Sequence, residues 1–204
     1  MEPRVETSDQ EWMRRVQAGV PKAREEAFGF LVGKYRTPVV HFLYRMVHEP
    51  ALAEELAQEV FLRVYRARKS YRPQAKFTTW LFRIATNVAL NALRDGRMRR
   101  TRETSLDADT GQRPAPQGPW EVADPRGTVE QKMIERERGE QIRRAVDALP
   151  EKQRLAVLLH KYQELDYGEI AAILDCSESA LKSLLFRAYE TLRVRLKPLL
   201  GARA

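Results

Sequence analysis

Between positions 71 and 102 the chain reads YRPQAKFTTWLFRIATNVALNALRDGRMRRTR, and this stretch restricts the possible folds more than any other. From Phe77 onward the apolar residues Phe77, Trp80, Leu81, Ile84, Ala85, Val88, Ala92 and Leu93 recur at helical spacing, which predicts a helix with one buried stripe. Thr78, Thr79, Arg83, Thr86, Asn87, Asn91 and Arg94 then lie away from that stripe or on its margin, and no acid stands among them. Thr78 or Thr79 is the expected N-cap, and Gly96 the place where the helix ends or loosens. Ahead of the helix, Arg72-Pro73-Gln74-Ala75-Lys76 reads as an ordered surface loop, because proline fixes its own backbone angle and holds its predecessor extended. Behind it come Arg97, Arg99, Arg100 and Arg102.

Charge turns this pattern toward a partner. From residue 61 to residue 102 twelve Lys or Arg stand against a single acid, Asp95, a local balance of +11 in a chain whose total is +8. Interleaved with Tyr65, Tyr71, Phe77, Trp80 and Phe82, they suit a nucleic-acid surface, where cations neutralise phosphates and ring faces stack on unpaired bases. A solvated basic face on an ordinary helical core is the competing account, and Trp80 fits that core. A sequence of 204 residues, 43% hydrophobic, is enough for one or two domains. The single cysteine, Cys176, excludes an internal disulfide. The opening MEPRVETSDQEW is too acidic for a secretory signal, and no uncharged run approaches the roughly 18 residues that cross a bilayer. A cytoplasmic protein without membrane insertion is expected. His41, His48 and His160 are scattered and lack cysteine partners, which argues against zinc. With no nucleophile beside a base and no glycine-rich phosphate loop, neither an enzyme nor a cofactor is indicated.

Taken in order, the chain reads as helices throughout. Ser8 or Asp9 caps a first helix to about Ala18, and Gly19-Val20-Pro21 breaks it. A second runs from about Ala23 to Val47, with Pro38 a potential kink. Glu49-Pro50 opens a third, to about Lys69, with Leu52, Leu56, Val60, Phe61 and Val64 as its buried stripe. Its exposed side begins with Glu54, Glu55 and Glu59 and ends with Arg63, Arg66, Arg68 and Lys69, as the helix dipole favours. Glu55 and Glu59 stand one turn apart, which allows a divalent ion, a solvated acidic face or a docking face for a basic partner.

Periodicity stops at Glu103. The following TSLDADTGQRPAPQGPWEVADPRGT holds four prolines and three glycines and reads as a flexible linker, in which Trp120 stands out. It resumes at Val129 in a helix to about Ala148, whose inner face is expected to carry Val129, Met133, Ile142, Val146 and Leu149. Pro150 starts another helix, and Asp166-Tyr167-Gly168-Glu169 has the form of a capping box. The short EIAAIL helix, a turn at Asp175-Cys176-Ser177 and the long helix from Glu178 make a helix-turn-helix, with Ala171 and Ala172 small enough for a close crossing. The expected fold is all-α: a helical domain over 1–100, a linker over 101–128 and a helix-turn-helix domain over 129–204.

Two pieces match one family. YRPQAKFTTWLFRIATNVALNALR, preceded by EELAQEVFLRVYRA, resembles the second conserved region of bacterial sigma factors, and LPEKQRLAVLLHKYQELDYGEIAAILDCSESALKSLLFRAYETLR resembles the fourth. With only a linker between them, the layout is similar to the extracytoplasmic-function (ECF) group. The resemblance implies that Glu54, Glu55, Gln58 and Glu59 dock on the clamp helices of core RNA polymerase. It implies that Tyr71, Arg72, Lys76, Phe77, Thr79, Arg83, Asn87 and Asn91 serve the −10 element, where a base flips from the melting duplex. Arg94, Arg97, Arg99 and Arg100 would hold phosphates. Ser177, Ser179, Lys182, Ser183 and Arg187 would read the −35 element, and an anti-sigma partner is common in the group. Leu184 and Tyr189 depart from the pattern, since many members carry arginine or another polar residue there. Leu184 then either meets thymine methyls or belongs to a partner-binding patch. A stand-alone helix-turn-helix regulator and a polymerase-binding protein that no longer starts transcription are the competing functions.

Overall fold

The first helix, α1 (Asp9–Ala18), begins at Ser8, whose hydroxyl accepts the Glu11 N–H at 3.3 Å, and buries Met13 and Val16 completely. It stops at Gly19, where a Cβ would lie 2.5 Å from the Arg15 carbonyl, so only glycine lets the chain turn here. Pro21 then opens α2 (Pro21–Val47), two residues earlier than expected, because proline is already preset for a first helical turn. The helix passes through Pro38 unbroken and ends on His48, left-handed at φ 59°. Pro50 opens α3 (Pro50–Arg66), and a 3-10 turn over Arg68–Ser70 takes the place of its predicted last turn. The buried stripe of α3 is rotated from the expected one: Ala53 and Ala57 are covered, whereas Leu52 and Leu56 are half-buried. Small residues at this seam let α3 approach α2 closely.

The arginine-flanked helix is α4 (Phe77–Glu103). Trp80 N–H donates to the Lys76 carbonyl, so the first turn starts at Phe77 and the predicted N-caps Thr78 and Thr79 lie inside the helix. The helix also runs on through Gly96. Its buried arc is wider than one stripe, taking in Thr79, Phe82, Thr86 and Ala89 besides Phe77, Leu81, Ala85 and Val88. The cause is that α4 packs against both α2 and α3, with Phe42 and Phe82 meeting edge to face at 5.6 Å.

The computed structural model describes residues 8–73, 76–103, 128–163 and 165–201, and among them there are eight α-helices and no strand. The chain divides into two units, Met1–Gly118 and Pro119–Ala204. The expected all-α class with two helical domains is therefore what forms; positions 104–127 of the predicted linker, Trp120 included, lie outside the described residues.

In the second unit, α5 (Val129–Asp147) is buried, among the described side chains, at Ala145 in its last turn, with Leu149 just beyond. Met133 and Ile142, expected inside, are exposed at 68% and 41%, whereas the side chain of Val129 lies outside the described residues. Arg154, itself buried, pairs with Asp147 at 3.7 Å across the corner into α6 (Glu151–Tyr162). Residues 154–159 of α6 are all buried, which makes it the central helix of the unit. The predicted capping box opens α7 (Tyr167–Ile173): Asp166 accepts the Glu169 N–H at 2.8 Å, and Glu169 accepts the Asp166 N–H at 3.0 Å. A turn with Asp175 left-handed at φ 51° leads into α8 (Glu178–Gly201), where the Ser177 hydroxyl accepts the Ala180 N–H. Of the two small residues proposed for the crossing, Ala171 is buried and Ala172 is exposed. Leu181, Leu185, Ala188 and Leu192 form the buried face of α8.

Candidate nucleic-acid interfaces

On the first unit, Arg83, Asn87, Asn91 and Arg94 are all exposed, and their spacing places them along one side of α4. Among the described residues neither arginine meets a carboxylate, so their charge remains available to phosphate. At the head of this side lies the segment from Tyr71 to Pro73, with Arg72 and Lys76 exposed. Three members of the −10 set are buried: Phe77, as its place in the apolar stripe predicts, and Tyr71 and Thr79, which were expected to face outward. The two rings join Tyr35 and Trp80 in a cluster under the loop, with centroids 5.1 Å apart for Tyr71 and Trp80 and 5.4 Å for Tyr35 and Phe77. Burial, with the Asp9 carboxylate as a smaller contribution, raises the Tyr71 phenol above its ordinary value, so it stays neutral. The side chains of Arg97, Arg99 and Arg100 lie outside the described residues.

On α3, Glu54 is paired with Arg36 at 2.7 Å and Glu59 with Arg63 at 2.6 Å, while Glu55 and Gln58 are exposed. Both pairs sit in solvent, where they are worth little to stability. Next to them Phe28, Val32, Ala57, Phe61 and Leu62 line an apolar groove between α2 and α3, bordered by Arg36, Glu54 and Gln58. Leu62 is 50% exposed there. Sequence reasoning named the acids and missed this groove, although a leucine following the buried Phe61 in helical register could have signalled it.

On the second unit, Ser177, Ser179, Lys182, Ser183 and Arg187 are exposed. Ser183 Oγ donates to the Ser179 carbonyl at 3.1 Å, and Arg187 Nε donates to the Ser183 carbonyl at 3.2 Å, which holds these side chains along the helix. Between them stands Phe186, 69% exposed on the face opposite the buried leucines and absent from the predicted set. Its position five residues after Leu181 was the available clue. Leu184 is half-buried. Tyr189 is engaged elsewhere: its hydroxyl lies 2.9 Å from His160 Nδ1, whose ring stacks on Tyr167. Burial raises the Tyr189 phenol above its ordinary value.

A helical unit with a cationic helix side and a braced loop, joined in one chain to a helix-turn-helix unit, defines a two-site DNA-binding protein. The chain matches the family descriptions "Sigma-70 region 2" over residues 31–99 and "Sigma-70, region 4" over residues 139–192. It is 33% identical over 196 residues to the RNA polymerase sigma-H factor of Pseudomonas aeruginosa, covering 96% of this chain and 97% of that protein. It is 34% identical over 194 residues to the ECF RNA polymerase sigma-E factor of Escherichia coli K12, covering 95% and 96%. In fold it is similar to CnrH, solved in complex with the cytosolic domain of CnrY (TM-score 0.63, 18% identity, 96% of this chain and 99% of that one). It is likewise similar to the sigma factor RpoE of Bartonella quintana, solved with the anti-sigma factor NepR (TM-score 0.62, 20% identity, 83% and 96%). The chain belongs to the RNA polymerase sigma factors of the extracytoplasmic-function group, and its function is in transcription initiation. Relatives that match across both units leave no place for the stand-alone regulator.

Proposed function

We propose that the two units divide the work of promoter recognition. The first unit docks on core RNA polymerase through α3, with Glu55 and Gln58 at the exposed centre and the groove beside Leu62 receiving an apolar side chain. Its loop, with Arg72 and Lys76, and the Arg83, Asn87, Asn91 and Arg94 side of α4 take the melting −10 element: cations hold phosphates, and the amides offer hydrogen bonds to a base that has left the stack. Tyr71, Phe77 and Thr79 act indirectly, as the floor under that loop. The second unit seats α8 in the major groove at the −35 element, where Ser179, Lys182, Ser183 and Arg187 read edges and phosphates and Phe186 meets a thymine methyl. The protein works by binding, without catalysis of its own, on the cytoplasmic polymerase. No helix among the described residues is long and apolar enough to cross a membrane. An anti-sigma partner, as held by the RpoE relative in fold, would cover one or both of these surfaces.

The observation that carries this reading is the exposed Arg83, Asn87, Asn91 and Arg94 side in a chain that also presents a capped helix-turn-helix. Purified chain and core polymerase should co-elute and give promoter-specific run-off transcripts that polymerase alone does not. Absence of co-elution, or transcription unaffected by −10 and −35 substitutions, would overturn it.

A further inference from the structure

Where the chain leaves α3, the Ser70 and Tyr71 N–H groups turn back to the Ala67 and Arg68 carbonyls, and α1 supplies further partners to this segment. Gln17 Nε2 donates to two carbonyls at once, Arg68 O at 2.8 Å and Tyr71 O at 3.0 Å. Almost two turns nearer the start of α1, Gln10 Nε2 donates to Pro73 O at 3.2 Å. Residues 10 and 17 are seven apart and share a face of α1, so the helix grips this segment along its length. The grip has a fixed anchor: Met13 and Val16 are fully buried, Trp12 stacks on Phe30 at 4.5 Å, and Asp9 is held by Lys34 at 2.7 Å and by the Tyr35 hydroxyl.

We propose that Gln17 is a positioning residue for −10 recognition, setting the path of the backbone that carries Arg72 so that the loop is shaped before a base arrives. The proposal rests on the loop reading given above. A carbonyl pair pointing at one amide nitrogen can be satisfied only by a donor; a carboxylate of the same shape would turn two attractions into two repulsions. A loop held in advance spends less of its binding free energy on ordering when the base is captured. Gln17 is on a helix outside both family-matched segments, which span residues 31–99 and 139–192, so nothing in those matches assigns it this part.

The test uses the full chain with core polymerase and a promoter bearing a fluorescent base analogue in the −10 element, opened side by side with versions substituted at each −10 base. Gln17→Glu should slow opening about tenfold, the equivalent of one to two hydrogen bonds, and should shrink the preference for the native base by a similar factor. Polymerase affinity should stay within about twofold, since the bonds of Gln17 go to Arg68 and Tyr71, past the end of α3, and not to Glu55 or Gln58. Gln17→Lys, which keeps a donor, should retain more of the base preference than Gln17→Glu. If base preference is intact in Gln17→Glu, or is lost equally in both variants, the positioning role is wrong. Arg72→Ala and Lys76→Ala separate the two levels: if they lose preference and Gln17→Glu does not, only the brace fails; if neither changes preference, the loop reading falls and takes the brace with it. Should Gln17→Glu not fold, Gln10→Ala removes the single bond to Pro73 and must show the same selective loss of base preference, on a smaller scale, for the proposal to stand.

Discussion

Thr86 holds a buried hydroxyl, 2% exposed, whose Oγ1 has no hydrogen-bond partner among the described residues. A hydroxyl taken out of water without compensation costs on the order of 1–3 kcal/mol. Thr86→Val keeps the shape and removes the cost, so denaturant unfolding should show a gain of about 1 kcal/mol with little change in the slope against denaturant. Tyr35 makes the opposite case. Burial first, and then the hydrogen bond and charge of Asp9, raise its phenol well above the ordinary value. The folded state therefore keeps this proton while the unfolded chain gives it up, and the stability so contributed is complete below about pH 10 and falls as pH rises beyond it. Tyr35→Phe should flatten the alkaline limb of a stability–pH curve, measured by thermal unfolding from neutral pH upward. Helical periodicity alone did not place Thr86. Thr79 and Thr86 sit on the margin of the apolar stripe of α4, and whether a margin is wet depends on a second packing partner that the pattern of one helix does not contain.

Elements were legible where local chemistry decides them. Ser8, Pro50 and the Asp166–Glu169 pair start helices where expected because each cap is a short-range hydrogen-bond or dihedral preference. Asp166→Ala removes the side chain that accepts the Glu169 N–H, and should cost the second unit about 1 kcal/mol in thermal or denaturant unfolding, as cap losses do. In α8 it is Leu181, Leu185, Ala188 and Leu192, four residues at helical spacing, that are buried, while Phe186 on another side of the helix stays exposed. Gly96 was not legible, because glycine weakens a helix by only about 1 kcal/mol and the flanking turns prevail. The inner face of α5 was legible only at its end, where Leu149 is buried and Val146 half-buried: apolar spacing marks residues able to be buried, and Met133 and Ile142 are exposed all the same. The side chains of the −10 set were divided in the same way, with exposed Arg72, Lys76, Arg83, Asn87, Asn91 and Arg94 where the sequence suggested and the aromatic members drawn into the ring cluster below.

On the proposed division of promoter recognition, the two units would act as linked weak grips, so the loss of one should lower the affinity of the pair by the factor that grip supplied. Arg83→Ala and Arg94→Ala should each reduce the slope of log affinity against log salt by about 1 while leaving sequence preference in place, measured by promoter titration with the polymerase complex across salt concentrations. Asn87→Ala should behave otherwise, weakening promoter opening more than closed-complex formation; equal losses in the two steps, read with a base-unstacking probe, would remove Asn87 from base capture. The single thiol offers a handle on the second grip. Cys176 is half-buried at the corner where α7 gives way to α8, its N–H held by the Ala171 carbonyl, with Ser177 as its neighbour. In a chain with no other cysteine, a maleimide dye can be attached at one defined spot without any engineering. Its brightness and rotational freedom would then follow, in real time, the arrival of the recognition helix on duplex DNA and its departure once transcription is under way.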